Sequence, residues 1–318
     1  MTVPTVSILI PCYNAARTVA AAIESALGQS HPAIEVLVWD DGSTDNSGAV
    51  IAGYRHDRRF RDCHQSNRGG NYARNRLLEQ AQGDYVQWLD ADDVLYPDKI
   101  SHQLALFKDD IDMVYCDYLT GIDPPGDHRV RLPAPDNDLL TYFIRTSMTT
   151  ASPLHRRRTL IAAGGFDESL TCCQEYDLHL RLAADHWQRI DRVDQPLFWK
   201  RTVPGSVSSH EDRVYATWSG LLIALDRFLD DRQQHTAARR QALAEMLYIC
   251  GRHLVREQLP EPARTAFAAS REIAPDSRRP VSLPLRWLTR LIGPIAAEQL
   301  VHTLRSRLHT QKFSDCDR

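Results

Sequence analysis

No apolar run in the 318-residue chain approaches the ~20 residues that a membrane-spanning helix needs. Its first residues, Met1-Thr2-Val3-Pro4, lack the basic head of a signal peptide. The expectation is a soluble, cytoplasmic protein, or one that at most rests on the inner membrane surface. No Cys-x-x-Cys pair occurs. The seven cysteines, at 12, 63, 116, 172, 173, 250 and 316, are odd in number, and adjacent Cys172-Cys173 has no His/Cys group nearby to complete a tetrahedral metal site. They read as reduced thiols. Positive charge is also in short supply: 38 basic against 41 acidic residues give −3, which excludes nucleic-acid binding by bulk charge. That charge is uneven, however. Residues 278–312 carry six Arg and one Lys against Glu298, so this stretch is +6 and the remainder −9.

What is present is ordinary for a globular protein. With 43% hydrophobic and 25% charged residues, the chain is neither disordered nor fibrous. At roughly 150 residues per domain, its length allows one large domain or two smaller ones, each with an adequate core. Val6–Ile10 is a β-branched run stopped by Pro11, and reads as a buried strand. Asn14 reads as an N-cap for a helix in which Val19, Ile23, Ala26 and Leu27 recur at helical spacing. Ile34–Trp39 is a second strand running into Asp40-Asp41-Gly42-Ser43-Thr44-Asp45. A helix over 46–54, a weak strand over Arg61–Gln65 and a helix over Asn71–Gln80 follow. Tyr85–Leu89 is a third strong strand, ending in Asp90-Ala91-Asp92-Asp93. Strands alternating with helices predict an α/β domain with a largely parallel sheet.

Residues 120–150, rich in Pro, Asp and Gly, read as loops over that sheet. From about 212 the chain reads as helical. Gly251, Ala263, Phe267 and Pro275 stand at tetratricopeptide-like spacing, but one repeat makes no solenoid, so a helical hairpin packed on the first domain is expected.

Three polar clusters, at 11–14, 40–45 and 90–93, thus end three strands. In open α/β sheets, ligands bind beyond the carboxyl ends of strands, so the clusters converge on one crevice. The Asp40–Asp45 segment reads equally as a turn with a cap or as a ligand site. Three acids directly after an apolar strand favour function. Carboxylates so close together repel unless a cation or donors offset them, and an oxygen-rich site suits Mg²⁺ or Mn²⁺ bridging to a nucleotide diphosphate.

The segments Ser7–Asn14 (SILIPCYN), Val38–Asp45 (VWDDGSTD), Asn67–Asn75 (NRGGNYARN), Gly83–Pro97 (GDYVQWLDADDVLYP) and Gly164–Leu182 (GGFDESLTCCQEYDLHLRL) occur in an order that resembles the inverting family 2 glycosyltransferases of bacterial type. The resemblance covers about residues 5–210. It implies a GT-A fold (Rossmann-like α/β, a mostly parallel sheet flanked by helices), here over 1–212. A C-terminal α-helical extension with a basic amphipathic tail follows over 213–318. It further implies a nucleotide-sugar donor, most readily a UDP-sugar, held by Pro11, Tyr13, Asn14, Asp41, Arg74, Asp90, Ala91 and Asp92. Asp41 would accept a base N–H and Arg74 would steady the donor. Asp90-Ala91-Asp92 matches the DXD element that meets ribose and a Mn or Mg divalent cation, with the metal ligand open between Asp92 and Asp93. A glycan or lipid-linked acceptor would lose its hydroxyl proton to Glu175, in polysaccharide biosynthesis at the cell surface.

Two departures stand out. The family's usual acidic pair is Gln174-Glu175 here, and Asp177, two residues on, would be structural or supportive. Val203 stands before Pro204-Gly205-Ser206 where the family often has a metal-supporting His; His210 nearby reads equally as a surface residue. These departures leave a non-catalytic nucleotide-sugar-binding scaffold as a rival. A sugar-phosphate nucleotidyltransferase would need a Gly-rich basic loop after the first strand, and a nicotinamide enzyme a Gly-x-Gly-x-x-Gly; neither is there. In the tail, residues 284–308 alternate apolar residues with Arg286, Arg290, Arg305 and Arg307, and Pro294 splits them in two. They suit either an anionic membrane surface or a helix packed on the protein with a solvated basic face.

Overall fold

The computed structural model describes residues 3–122, 126, 128–187, 189–202, 211–275 and 283–303. The expectations about Val203, Pro204-Gly205-Ser206, His210, Cys316 and residues 304–308 fall outside these. Two compact units divide the chain, Met1–Pro204 and Gly205–Arg318.

The first unit begins with β1 (Val6–Cys12), α1 (Val19–Leu27), β2 (Ile34–Asp40), α2 (Ser47–Ala52), β3 (Phe60–His64), α3 (Gly70–Gln80) and β4 (Tyr85–Trp88). It continues through β5 (Val94–Leu95), α4 (Lys99–Leu104), β6 (Met113–Gly121), β7 (His128–Val130), α5 (Leu139–Arg145), β8 (Leu154–Arg156), α6 (Arg157–Ala162), α7 (Gln174–Asp185) and β9 (Ile190–Arg201). The strands join in one sheet in the order β3-β2-β1-β4-β8-β6-β9-β5, with β7 on the side of β6. From β3 to β4 every pairing is parallel. Beyond β4 the sheet is mixed: β8 runs antiparallel to both β4 and β6, β5 antiparallel to β9, and β6 parallel to β9.

The core follows from the apolar runs. Val6, Ile8 and Ile10 of β1, Val36 and Val38 of β2 and Val19, Ala22, Ile23 and Ala26 of α1 are buried in one cluster. The two strands that flank β1 are not consecutive in sequence, so the chain reverses its direction of travel across the sheet there. That reversal opens the crevice at the carboxyl ends of β1, β2 and β4.

Three local expectations need correction. β1 does not stop at Pro11 but reaches Cys12. Its ladder with β4 ends at Leu9↔Trp88, so no strand on that side awaits an N–H from the proline. Asn14 is not an N-cap: α1 starts after Thr18, and Asn14 sits at φ 51, bonded elsewhere. The stretch 120–150 is not merely loop. It holds β7 and α5, and Leu139 through Ile144 of α5 are all buried, with Asp138 capping Leu140 and Thr141 N–H. A helix buried on all sides has no apolar stripe to reveal it.

In the second unit, α8 (Glu211–Asp231), α9 (Ala237–Arg256) and α10 (Pro260–Ile273) precede α11 (Leu283–Ile292). Gly251 of α9 lies so close to Phe267 of α10 that a Cβ there would stand 2.8 Å from the ring, which explains the spacing of these two residues in the sequence. Gly293, at φ 80, ends α11, and a second helical piece covers 294–303.

Candidate active site

The loops after β1 and β2 are stitched to each other. Asn14 Oδ1 accepts from Thr44 N (2.8 Å), Asn14 N donates to Ser43 Oγ (2.9 Å), and Ala16 N donates to Asp45 Oδ2 (3.1 Å). Ser47 also donates to Asp45, whose carboxyl is held below its ordinary range by that hydrogen bond first of all. Asp40 is buried and accepts from Ser43 N and from His64 Nδ1.

Asp41 is buried as well. Its Oδ1 takes Gln65 Nε2 (2.7 Å) and Arg68 N (3.0 Å), and its Oδ2 takes Gly69 N (2.8 Å). A carboxylate with three inward donors fixes the loop after β3. Gly42 completes the arrangement at φ 78, where a Cβ would come within 2.5 Å of Asn67 N. Pro11 is partly buried at the same edge, and Tyr13 is 52% exposed, its ring open to solvent.

The end of β4 is different. Asp90 accepts from Arg74 Nη2 at 2.9 Å. Asp92 is partly exposed, and its carboxyl is pushed up by burial and then by Asp90. Asp93 lies beneath: Oδ1 accepts from Arg201 N (3.0 Å), while Oδ2 is buried with no partner among the described residues. Burial first, then Asp90 and Asp92, raise its carboxyl well above the usual range. Ala91 is buried between them.

Among the described residues no three His, Cys, Asp or Glu side chains gather as a metal cage. None is required for Mg²⁺ or Mn²⁺ completed by substrate phosphates, which need one or two carboxylates. Two carboxyls whose charge is disfavoured, one with an orphaned oxygen, fit such an ion.

Arg74 joins this loop to α7. Emerging from α3 and only 10% exposed at its side chain, it is 2.9 Å from Asp90 and 3.8 Å from Glu175 Oε1. The α3 helix also holds the segment before α7. Asn71 Nδ2 donates to Asp167 O and Leu170 O, and Asn75 bonds both N–H and C=O of Phe166. Sequence reasoning passed over these two asparagines, although they flank Arg74 four residues apart on one helix.

Glu175 stands in the first turn of α7, where a negative charge suits the helix dipole. The residue before the helix, Cys173, has φ 61, a conformation costly for a side chain with Cβ and often kept at functional sites. Tyr176 and His179 are buried and hold the helix down, Tyr176 through a bond to Ile144 O. Asp177 lies on another side and pairs doubly with Arg181, whose guanidinium also reaches Ala163 O and Gly165 O. Glu175 Oε1 receives two further donors, Thr150 Oγ1 at 2.8 Å and the neighbouring Gln174 Nε2 at 3.3 Å. No signal in the sequence singles out Thr150.

Comparisons with known proteins bear on the family and the fold. The family model described as Glycosyl transferase family 2 matches residues 7–162. An uncharacterised glycosyltransferase of Rickettsia prowazekii is 32% identical over 241 residues, 70% of this chain and 73% of the relative. Another, from Rickettsia felis, is 32% identical over 232 residues, 69% of this chain but 38% of the relative. The chain spans only about a third to two-fifths of the length of the first relatives it matches. Among solved structures, residues 1–349 of TarS from S. aureus superpose with a TM-score of 0.61 at 18% identity, covering 85% of this chain and 90% of that one. The same TarS fragment has been solved with UDP-GlcNAc.

The fold is that of the GT-A glycosyltransferases. The chain belongs to glycosyltransferase family 2.

Proposed function

We propose that the protein is a metal-dependent inverting transferase that moves a sugar from a UDP-sugar to a hydroxyl of a glycan or lipid-linked acceptor in cell-surface glycan synthesis. The observation that carries this reading is the single guanidinium of Arg74, which touches Asp90 and approaches Glu175 across 101 residues of sequence. It draws the donor-side carboxylate and the base to one centre. The fold shared with TarS, solved with UDP-GlcNAc, supports a uridine donor.

In this reading the loops after β1 and β2 flank the base, with Tyr13 open to stack on it and Asp41 bracing the wall. Asp92 holds the divalent ion, being more accessible than Asp93, which tethers β9 through Arg201 N. The bound ion supplies positive charge for the leaving diphosphate. Glu175 takes the acceptor proton, and attack from the face opposite the leaving group inverts the anomeric carbon in one displacement. The catalytic domain spans about 1–212 and the helical extension 213–318.

Screening nucleotide sugars for hydrolysis and transfer, with and without Mn²⁺, tests this. Turnover of a UDP-sugar only with metal is expected. Turnover without metal would overturn the metal role, and nucleotide binding without turnover of any donor would favour the scaffold.

The tail belongs to the same proposal. Trp287 (64% exposed) and Leu291 (79%), one turn apart on α11, support a peripheral contact with an anionic membrane from the cytoplasmic side. No helix among the described residues is long and apolar enough to cross a membrane. Deleting 283–318 should abolish sedimentation with anionic vesicles at low salt; undiminished sedimentation would leave the packed-helix reading.

A further inference from the structure

We propose that Thr150 is the positioning residue of the transfer reaction: its hydroxyl anchors Oε1 of Glu175 and leaves Oε2 as the atom that takes the acceptor proton. The inference rests on the assignment of Glu175 as the base.

A carboxylate offers two oxygens, and a base is efficient only if one is kept facing its proton. In this site the donors are one-sided. Thr150 Oγ1 (2.8 Å), Gln174 Nε2 (3.3 Å) and, further off, Arg74 Nη2 (3.8 Å) all address Oε1. Among the described residues none addresses Oε2. The Gln174 in place of the family's acid is thus a donor to the base rather than a repelling neighbour.

Thr150 can act as an anchor because the backbone on either side of it is pinned, with Ser152 N donating to Thr149 O at 3.1 Å. The next two residues are held from the core: Gln87 Nε2 donates to Ala151 O (3.0 Å), and Gln103 Nε2 (2.9 Å) and Lys99 Nζ (3.3 Å) donate to Ser152 O. Ser152 Oγ donates to Cys116 O at 2.6 Å and closes the network on β6. Lys99, wholly buried, also donates to Gln87 and Gln103. A fully partnered buried network of this kind is rigid. Thr150 itself is 6% exposed, so its hydroxyl cannot be replaced freely by water.

During transfer, the acceptor oxygen forms its bond to the anomeric carbon as its O–H bond breaks. The proton goes to Glu175 Oε2, and the electron pair of the carbon–phosphate oxygen bond leaves with the diphosphate. Thr150 makes and breaks no bond. It prevents Glu175 from rotating Oε2 away from the acceptor.

The test compares Thr150→Val, which keeps the shape without the hydroxyl, with Thr150→Ser, which keeps the hydroxyl. Each is also combined with Glu175→Gln. Transfer is measured with both substrates varied, and thermal midpoints check folding. Thr150→Val should lower kcat by roughly ten- to a hundredfold, the worth of a hydrogen bond to a charged group, and leave the donor KM unchanged. Thr150→Ser should restore most of the rate. In the Glu175→Gln background, Thr150→Val should cost nothing more, because no base remains to orient.

Wild-type kcat in Thr150→Val, failure of Thr150→Ser to rescue, or equal losses in both backgrounds would each overturn the role. If Glu175→Gln itself transfers at the wild-type rate, it is the assignment of the base that falls.

Discussion

The ends of β2 and β4 each carry three acids, Asp40, Asp41 and Asp45 against Asp90, Asp92 and Asp93, yet their carboxylates live differently. Asp40, Asp41 and Asp45 each accept two or more hydrogen bonds from nearby donors of the protein. Asp92 and Asp93 are pushed toward the neutral state, and Asp93 Oδ2 has no partner among the described residues. Acids of the first kind build walls, because protein donors already offset their charge. Acids of the second kind are incomplete until something cationic arrives. An acidic motif therefore says little until its donors are counted.

Four experiments would break or sharpen that contrast. The largest effect is expected at Glu175, which faces Arg74 and Thr150, whereas Asp177 is tied through Oδ2 to Arg181. Glu175→Gln should lower kcat by about 10²–10⁴ at unchanged donor affinity. Asp177→Asn should act mainly on stability. A dead Asp177→Asn with an active Glu175→Gln would move the base by two residues.

Next comes Asp92→Asn. Calorimetry should show metal-dependent nucleotide binding weakened by about tenfold or more. The metal-free protein should be no less stable than wild type near neutral pH, since a disfavoured charge is removed. Undiminished binding would pass the role to Asp93.

Asp41→Asn should do the reverse and cost stability. Its amide would face Gly69 N or Arg68 N with a donor, losing about 1.5–3 kcal/mol in denaturant titration. Unchanged stability with lost donor binding would instead make Asp41 a direct contact to the base.

The smallest effect on activity is expected at buried groups away from the crevice, where the readout is stability. His155 and His179 share one contact, Nε2 to Nε2 at 3.3 Å, and their Nδ1 atoms are unpartnered among the described residues. Burial holds both below the usual histidine range, His179 down to about 3. The unfolded chain therefore takes up protons first as pH falls through 6.5. Stability should drop from there toward pH 4.5, by at most about 1.4 kcal/mol per histidine per pH unit. His179→Leu should flatten that slope, and a slope equal to wild type would show that carboxylates set it.

Much of the first unit up to β4 is readable without coordinates. From Val6 to Trp88, apolar runs broken by Gly, Pro, Asn and Asp mark β1 to β4 and the helices between them within a few residues. There each strand is buried by neighbours close in sequence, so local pattern and final packing agree. The later strands of the first unit are not readable in this way. β9 carries Asp191, Arg192, Asp194, Lys200 and Arg201, a poor strand by composition. Its charges become tolerable only beside β6, where buried Asp117 takes Arg192 at 2.8 Å and Arg129 at 2.8 Å. Asn14 misled for a related reason. An asparagine after a strand suits a cap, but Thr44 arrived from thirty residues away to claim its oxygen.

The sequence by itself determined the family, the α/β order of the first half and the places where acids end strands, because these depend on side-chain type and local spacing. Only the tertiary structure decided which acids are already paired, that Arg74 stands between Asp90 and Glu175, and that Thr150 reaches Glu175. The reason is physical: a carboxylate's role depends on the donors within about 3 Å, and here those that join the site's separate elements come from 16 to 108 residues away.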